Sequence, residues 1–137
     1  MSGSNCKVWT MVHSQAIGSS EFLIGEFARR VGTSKDTIRF YTRLGMLSSV
    51  DRRAGSRTYA LYDESQVERY EFIEFCKELG FTLKDIGLAL GEMDAGTFSD
   101  QRRQTLVENK LLEIEAKISE LRAVHKRLRA TLSSKHC

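Results

Sequence analysis

The chain has 137 residues, of which 28% are charged and 41% hydrophobic, with a formal net charge of +3. This length suits one compact domain with an extension, and the composition is ordinary for a soluble protein. No apolar run in the sequence approaches the roughly 20 residues that a membrane-spanning helix needs, and the first residues lack the pattern of a secretory signal. We therefore expect a cytoplasmic protein with no membrane partner.

Cysteine and histidine usage excludes several kinds of site. Cys6, Cys76 and Cys137 lie far apart and form no CxxC pair, which predicts neither a disulfide framework nor a structural zinc site. Cys76 lies within an apolar helical stripe, so we expect a buried, unreactive thiol. The three histidines do not accompany a nucleophile or a carboxylate pair. The sequence therefore predicts a protein that is not an enzyme, with no catalytic residues, no cofactor and no metal site.

The N-terminal part of the chain predicts a leader followed by a short helix. Residues 1–21 have weak periodicity and much serine and glycine, which is typical of a flexible segment. A helix is then predicted over Gly25–Val31. Its apolar residues Phe27, Ala28 and Val31 have the spacing of a stripe that faces a core.

A second short helix follows a glycine, and together the two predict a helix-turn-helix. Thr33 or Ser34 is expected to cap this helix, Asp36 to complete a capping box with Thr33, and Ile38 to point inward. Gly45 can end the helix in a left-handed conformation. Cations and hydroxyls on a narrow helix suit the major groove of DNA. The residues of this kind are Ser34, Lys35, Thr37, Arg39, Tyr41 and Arg43.

The next segment predicts a two-stranded hairpin with a basic tip, a "wing", over residues 47–62. Arg52, Arg53 and Arg57 lie at the tip, where they can reach phosphates or a minor groove. Residues 29–57 hold eight Lys/Arg and two Asp, whereas 61–94 hold three Lys/Arg and nine Asp/Glu. This asymmetry indicates a nucleic-acid face backed by a solvated scaffold. The alternatives are a solvated turn and ordinary variation of surface charge.

Two further helices are predicted before the C-terminal segment. The first covers Glu64–Leu79 and is capped by Asp63. The second opens at Thr82 and ends at Leu90. Residues 91–98 are then expected to form a connector.

The C-terminal segment predicts one long helix with a heptad seam held for about four heptads. An apolar seam of this length needs a partner helix, so a homodimer is the economical interpretation. Packing against the chain's own helices is the alternative. His125 is the one polar residue of the seam, and we expect no ligand role for it. The seam residues are Val107, Leu111, Ile114, Ile118, Leu121, His125, Leu128 and Leu132.

Several ordered blocks of this sequence resemble the MerR family of bacterial transcription regulators. The resemblance extends from Phe22 to about Leu132, and the ordered combination is more specific than a lone helix-turn-helix. The blocks are Ile24–Gly32, Thr37–Tyr41, Leu44–Leu47, Tyr59–Tyr62, Phe72–Ile73 and Glu78–Ile86.

The resemblance implies a mainly α fold: a winged helix-turn-helix DNA-binding domain over 22–94, and a C-terminal helix over 95–137 that forms an antiparallel coiled-coil dimer. It implies a dimeric, sequence-specific regulator that binds double-stranded promoter DNA at a pseudo-palindromic operator. Distortion of that DNA realigns promoter elements for RNA polymerase, which is thus an indirect partner. Two alternatives are an architectural, excisionase-like winged-helix protein and a pure coiled-coil interaction module.

The resemblance also implies roles for individual residues. Arg39 would make the main contact to a base edge or a phosphate, and Tyr41 and Arg43 would bind phosphate. The three arginines of the hairpin would form the wing tip, with Tyr59 and Tyr62 at its base. The remaining apolar residues of the recognition helix, Ile38 and Phe40, would be structural.

The chain departs from the family pattern at several positions. Leu23 replaces the usual hydroxyl before the first helix, and Ala60 replaces a basic residue at the wing exit. Metal-sensing members place a cysteine where this chain has Ser99 or Asp100. A soft-metal site built from His136 and Cys137 with the partner's Asp100 is therefore the alternative to the absence of a metal site.

Overall fold

The computed structural model describes residues 20–133, which form two compact units that divide between Thr97 and Phe98. The predicted 1–21 leader lies almost entirely outside the described residues. The elements of the first unit are β1 (Phe22–Leu23), α1 (Ile24–Val31), α2 (Lys35–Arg43), β2 (Val50–Ala54), β3 (Arg57–Tyr62), α3 (Glu64–Glu78) and α4 (Leu83–Ala95). The second unit contains α5 (Asp100–Ser133). The predicted mainly helical fold with a small hairpin is confirmed.

The helix-turn-helix packs on an aromatic core. Phe27 of α1 and Ile38 of α2 are completely buried. The Phe27 ring meets the rings of Tyr62 and Tyr70 edge-on, with ring centres 5.0 and 6.2 Å apart. Such edge-to-face contacts between buried rings add to the stabilisation from apolar burial. The helix pair is therefore held to both β3 and α3 through one phenylalanine.

The two ends of α2 are set by different residues. Ser34 is its N-cap, because its side-chain oxygen accepts a hydrogen bond of 3.2 Å from the Thr37 amide. The predicted capping box between Thr33 and Asp36 is wrong, since the Asp36 carboxylate pairs with Arg39 instead. At the other end Gly45 has a φ of 78°, the left-handed conformation predicted to stop the helix.

The predicted hairpin forms part of a three-stranded antiparallel sheet in the order β1-β3-β2. In β2 and β3, Val50 faces Leu61 and Ala54 faces Arg57 across the ladder. The sequence analysis missed β1, which pairs Phe22 with Tyr62. This short strand leads directly into α1, whose N-cap Leu23 makes no side-chain capping bond, as predicted.

Helices α3 and α4 begin at the predicted caps. The Asp63 carboxylate accepts from the Ser65 amide at 3.0 Å, and the Thr82 hydroxyl accepts from the Asp85 amide at 3.1 Å. The prediction that the second of these helices ends at Leu90 is wrong, because α4 continues through Gly91 to Ala95. Its left-handed C-terminal residue is Gly96, with a φ of 74°.

The predicted long C-terminal helix is confirmed as the 34-residue α5. The Ser99 hydroxyl accepts a hydrogen bond of 3.0 Å from the Arg102 amide at its start, which satisfies one amide of the first turn. In the part of the chain that the structure describes, no helix is long and apolar enough to cross a bilayer.

Candidate nucleic-acid interface

The recognition helix α2 separates an inward face from a basic outward face. Ile38 and Tyr41, three residues apart, are buried, whereas Lys35, Arg39 and Arg43 are exposed. This separation follows from the 3.6-residue period, which places residues three apart on one face. The outward face therefore presents three cations that the core does not use.

Arg39 lies at the centre of this outward face. Its guanidinium donates a 3.0 Å hydrogen bond to the Asp36 carboxylate, and both side chains are more than half exposed. An exposed pair of this kind contributes little to stability and exchanges readily for a DNA partner. The N-cap residue Ser34 is exposed as well, and its hydroxyl lies 3.0 Å from the half-buried Thr37 hydroxyl. The polar start of α2 is thus compatible with contacts to phosphate or base edges.

Tyr41, for which the resemblance implied a phosphate contact, and Tyr62, which it placed at the base of the wing, are both buried. Tyr41 is only 2% exposed, and its hydroxyl donates to Glu74 and accepts from Lys77, both at 2.9 Å. Burial of the ring is the main reason that the pKa of Tyr41 is raised above 10.0. Tyr62 is 3% exposed, and its hydroxyl lies 3.0 Å from that of Thr42. As a correction to the phosphate contact implied for Tyr41, its side chain is buried, and the hydroxyls of both tyrosines tie α2 to neighbouring elements.

The wing is solvent-exposed along most of its length. Its arginines, Arg52, Arg53 and Arg57, are all exposed, and Tyr59 is 36% exposed. Arg52 pairs with Glu21 at 2.9 Å. The Tyr62–Thr42 contact joins the last residue of β3 to α2, so that the wing and the recognition helix share one support. The wing therefore offers three cations on an element that α2 positions directly.

The helix behind α2 is acidic. The α3 carboxylates include Glu64, Glu68, Glu71 and Glu74, and the pKa of Glu68 is raised by burial first and then by the charges of Glu64 and Glu71. Mutual repulsion of this kind indicates an electronegative scaffold. The predicted contrast between a basic reading surface and an acidic support is thus seen in the folded unit.

Two α3 side chains hold the segment after α2, and neither was predicted from the sequence. The buried Gln66 accepts a 2.8 Å hydrogen bond from the Ser48 amide, and Arg69 donates a bond of the same length to the Met46 carbonyl. Both partners lie between the recognition helix and the wing. Such long-range bonds have no local sequence signal, because donor and acceptor lie 18 and 23 residues apart.

The seam residues of α5 are exposed from Leu111 onward in the described unit. Leu121 and Leu128 are each 67% exposed, and Val107 at the start of the seam is half-buried. His125, the polar member, is exposed as well. A contiguous apolar stripe on a helix surface marks an interaction site.

Metal ligation has little support in the described residues. Between Ser20 and Ser133 there is no group of three or more His, Cys, Asp or Glu that could hold a metal ion. Ser99 serves as a helix cap, and Asp100 beside it is exposed. His136 and Cys137, the donors of the alternative prediction, lie outside the described residues. Cys76 is 3% exposed, which confirms that its thiol is buried, and burial raises the pKa of the thiol to about 12.

Comparison with known sequences identifies relatives over most of the chain. The family model for the MerR HTH family regulatory protein matches residues 22–92, and a MerR DNA-binding model matches 67–131. The mercuric resistance operon regulatory protein of Bacillus cereus is 34% identical over 108 residues, which cover 79% of this chain and 80% of that protein. The HTH-type transcriptional regulator ZntR of Escherichia coli K12 is 33% identical, with 78% and 75% covered.

Solved structures give the same assignment. The transcription regulator PbrR691 from Ralstonia metallidurans CH34, determined in complex with lead(II), has a TM-score of 0.71 at 28% identity, with 85% of this chain and 94% of that chain covered. HiNmlR, a MerR family regulator lacking the sensor domain and bound to promoter DNA, shares the fold with a TM-score of 0.56 at 24% identity over 83% and 89%. These matches confirm the resemblance and favour a regulator over the excisionase-like alternative. The chain belongs to the MerR family, and it is a DNA-binding transcription regulator rather than an enzyme.

Proposed function

We propose that this regulator is a homodimer that binds a pseudo-palindromic operator in promoter DNA and acts by distorting it. The observation that carries the proposal is the outward face of α2, where three exposed cations stand opposite the buried Ile38 and Tyr41. A helix anchored on one face and basic on the other suits insertion into the major groove. Two copies would present two such helices to the two half-sites of one operator.

The dimer is proposed to form through the α5 seams, paired antiparallel as the resemblance implies. The support is the exposure of the seam, which rises to 81% at Leu132. Steps of four and three residues keep one stripe along the helix, and paired stripes bury each other in a coiled coil. Each buried Val, Leu or Ile side chain contributes about 1.5–3 kcal/mol, so the seven apolar seam positions of each helix provide the burial that supports a dimer.

Within each copy, the proposed contacts divide by chemistry. Arg39 is proposed to contact a base edge or the adjacent phosphate, and Lys35 and Arg43 to contact phosphates on either side. Ser34 and Thr37 supply hydroxyls at the start of the helix. The wing arginines are proposed to hold the backbone or the minor groove, with Tyr59 beside them. Arginine suits these positions because its fork of donors matches both guanine and phosphate.

The distortion of DNA and the link to RNA polymerase rest on the family resemblance. Bending or untwisting a duplex costs energy that depends on its sequence, and additional protein contacts offset that cost. A dimer with a wing beside each recognition helix has cations available for such additional contacts. We propose that this change in the promoter, which takes place in the cytoplasm, alters its use by RNA polymerase without a direct protein contact.

Sedimentation equilibrium of the full chain, alone and with DNA from upstream of its own gene, tests the assembly. The expected result is a dimer in solution and two chains per duplex. A monomer that binds the same DNA with full affinity would contradict the dimeric reading.

Distortion is tested separately by circular-permutation mobility of the bound fragment and by in vitro transcription from it. The proposal predicts mobility that depends on the position of the site and a change in transcript yield. The assays are run with and without added metal ions, so that an effector response is seen if one exists. Tight binding with unchanged mobility and unchanged transcription would exclude distortion as the mechanism.

A further inference from the structure

Phe40 lies on the exposed side of α2, and the resemblance implied a structural role for it. It is 41% exposed, while its neighbour Tyr41 is 2% exposed. Its ring centre lies 5.8 Å from that of Tyr41 and 6.0 Å from the Arg43 guanidinium carbon. Residues three and four apart share a helix face, so Phe40 stands beside Asp36 and Arg43 on the outward surface. Phe40, for which the resemblance implied a structural role, is therefore partly exposed on this surface.

The ring has defined support on its inner side. Tyr41, against which it rests, is fixed by its bonds to Glu74 and Lys77. Phenylalanine has only two side-chain torsions, so little conformational entropy remains to be lost when its outer side is covered. A partly exposed ring on a fixed base is thus prepared to contact an apolar group.

The major groove offers few apolar groups to such a ring. Base edges present hydrogen-bond donors and acceptors at all four base pairs, and the C5-methyl of thymine is the apolar feature among them. Phe40 has no hydroxyl or amide with which to bind a phosphate or a polar base edge. Its neighbours Arg39 and Arg43 supply those polar contacts instead.

We propose that Phe40 is a specificity-determining residue that recognises a thymine in each half-site by packing its exposed ring edge on the thymine 5-methyl group. This inference rests on the proposed operator binding by α2 and identifies one base that it selects. The preference depends on apolar contact alone, so it is insensitive to salt, in contrast to contacts made by the neighbouring arginines.

The test replaces each operator thymine in turn by deoxyuridine, which removes the methyl group and leaves the hydrogen-bonding edge unchanged. With the wild-type protein, one position in each half-site is expected to show about a fourfold loss of affinity, the factor for one methyl-sized apolar group. Phe40→Ala should lower affinity for the thymine operator and show no further loss with uracil at that position. Phe40→Leu, which keeps an apolar side chain, should retain part of the preference.

Leu44→Ala is the matched control, because Leu44 is an exposed apolar residue just beyond the end of α2. Its uracil profile should match that of the wild type. Equal uracil sensitivity in wild type and Phe40→Ala, or a wild-type profile with no sensitive position, would overturn the inference and leave operator binding intact. Failure of the wild-type protein to select any defined operator would overturn both the inference and the proposed function.

Discussion

Arg69 on α3 holds Asp94 on α4 through two hydrogen bonds, of 2.7 and 3.1 Å, one from each terminal nitrogen of the guanidinium. Its third donor, Nε, binds the Met46 carbonyl at 2.8 Å. The Arg69 side chain is 13% exposed, whereas Asp94 is 60% exposed. One arginine thereby fixes α3, α4 and the segment that follows the recognition helix, in the planar arrangement that suits a guanidinium.

Replacing Arg69 by alanine is expected to lower the free energy of unfolding by about 1–3 kcal/mol, because a backbone carbonyl loses its donor and the packed stem is removed. Asp94→Asn should cost less, about 0.5–1 kcal/mol, since its exposed carboxamide is solvated and the Met46 contact remains. Urea denaturation at fixed protein concentration measures both. Arg53→Ala on the exposed wing is the control. If it lowered the free energy of unfolding as much as Arg69→Ala, the role of Arg69 in fixing these elements would be contradicted.

Tyr41 gives a prediction with a pH signature. The pKa of Tyr41 is raised by burial, and the pKa of Lys77 is raised mainly by its hydrogen bond to Tyr41. The pKa of each group is higher in the folded than in the unfolded state. The stabilisation of the folded state is therefore present below the ordinary tyrosine pKa of 10.0 and is lost as pH rises through the folded-state pKa of Tyr41. Tyr41→Phe should therefore be about 1 kcal/mol less stable at pH 8. The difference in the free energy of unfolding between Tyr41→Phe and the wild type should become smaller above pH 10.0.

Denaturant unfolding from pH 8 upward measures this difference directly. The buried Cys76 is common to both proteins, so its own alkaline titration cancels in the comparison. A stability difference that stays constant or widens into the alkaline range would show that burial does not disfavour ionisation of the Tyr41 hydroxyl.

Cys76 is expected to be unreactive in the native protein, because its thiol is buried and its pKa is raised to about 12. In a variant carrying Cys6→Ser and Cys137→Ser, a thiol reagent at pH 8 should modify Cys76 only as fast as the protein unfolds. The rate should rise steeply with urea. Modification at the rate of a free cysteine in the absence of denaturant would disprove this burial.

Arg39→Ala is expected to weaken operator binding by about 1–3 kcal/mol and to relax sequence preference if Arg39 reads a base. If Arg39 holds a phosphate, binding should weaken uniformly across sequences. The slope of log affinity against log salt concentration should then become shallower by about one. Binding titrations on operator and altered duplexes at several salt concentrations separate the two. Lys126→Ala, which removes the same charge on α5, is the control. Unchanged binding by Arg39→Ala would refute the assignment of the recognition helix.

Leu121→Asp is expected to dissociate the dimer and abolish operator binding, since each copy loses about 2 kcal/mol of apolar burial and gains a charge in the seam. Ala123→Asp introduces the same charge two residues away, off the heptad seam, and should leave assembly intact. Sedimentation velocity compares the two variants. An Ala123→Asp defect as large as that of Leu121→Asp would remove the argument from the seam.

Local patterns predicted most of the elements, because caps and periodicity act over a few residues. Asp63 and Thr82 were identified as helix caps from their positions alone, and the heptad spacing indicated α5. The two-residue β1 was missed, since so short a strand shows no alternation. Gly91 suggested a helix end, yet one exposed glycine is tolerated within α4.

The errors in the site arose from contacts between distant parts of the chain. Tyr41 was expected at a phosphate from the resemblance. Its partners Glu74 and Lys77 lie 33 and 36 residues away, so no local pattern indicated them. Helical periodicity indicates the exposure of Phe40, since Ile38 and Tyr41 are three residues apart and Phe40 lies off their stripe. Local pattern therefore predicted the helix-turn-helix and the hairpin, and the packing of α3 against them decided which side chains face outward.

The most direct test is a hydroxyl-radical footprint of the full-length protein on operator DNA selected from genomic fragments. A dimer on a pseudo-palindromic operator should protect two stretches related by two-fold symmetry, with centres one helical turn of about 10 base pairs, or a multiple of it, apart. Both stretches should disappear together with Leu121→Asp. Protection of a single unsymmetrical stretch by a monomer, or no defined protection at physiological salt, would contradict operator binding by a dimer.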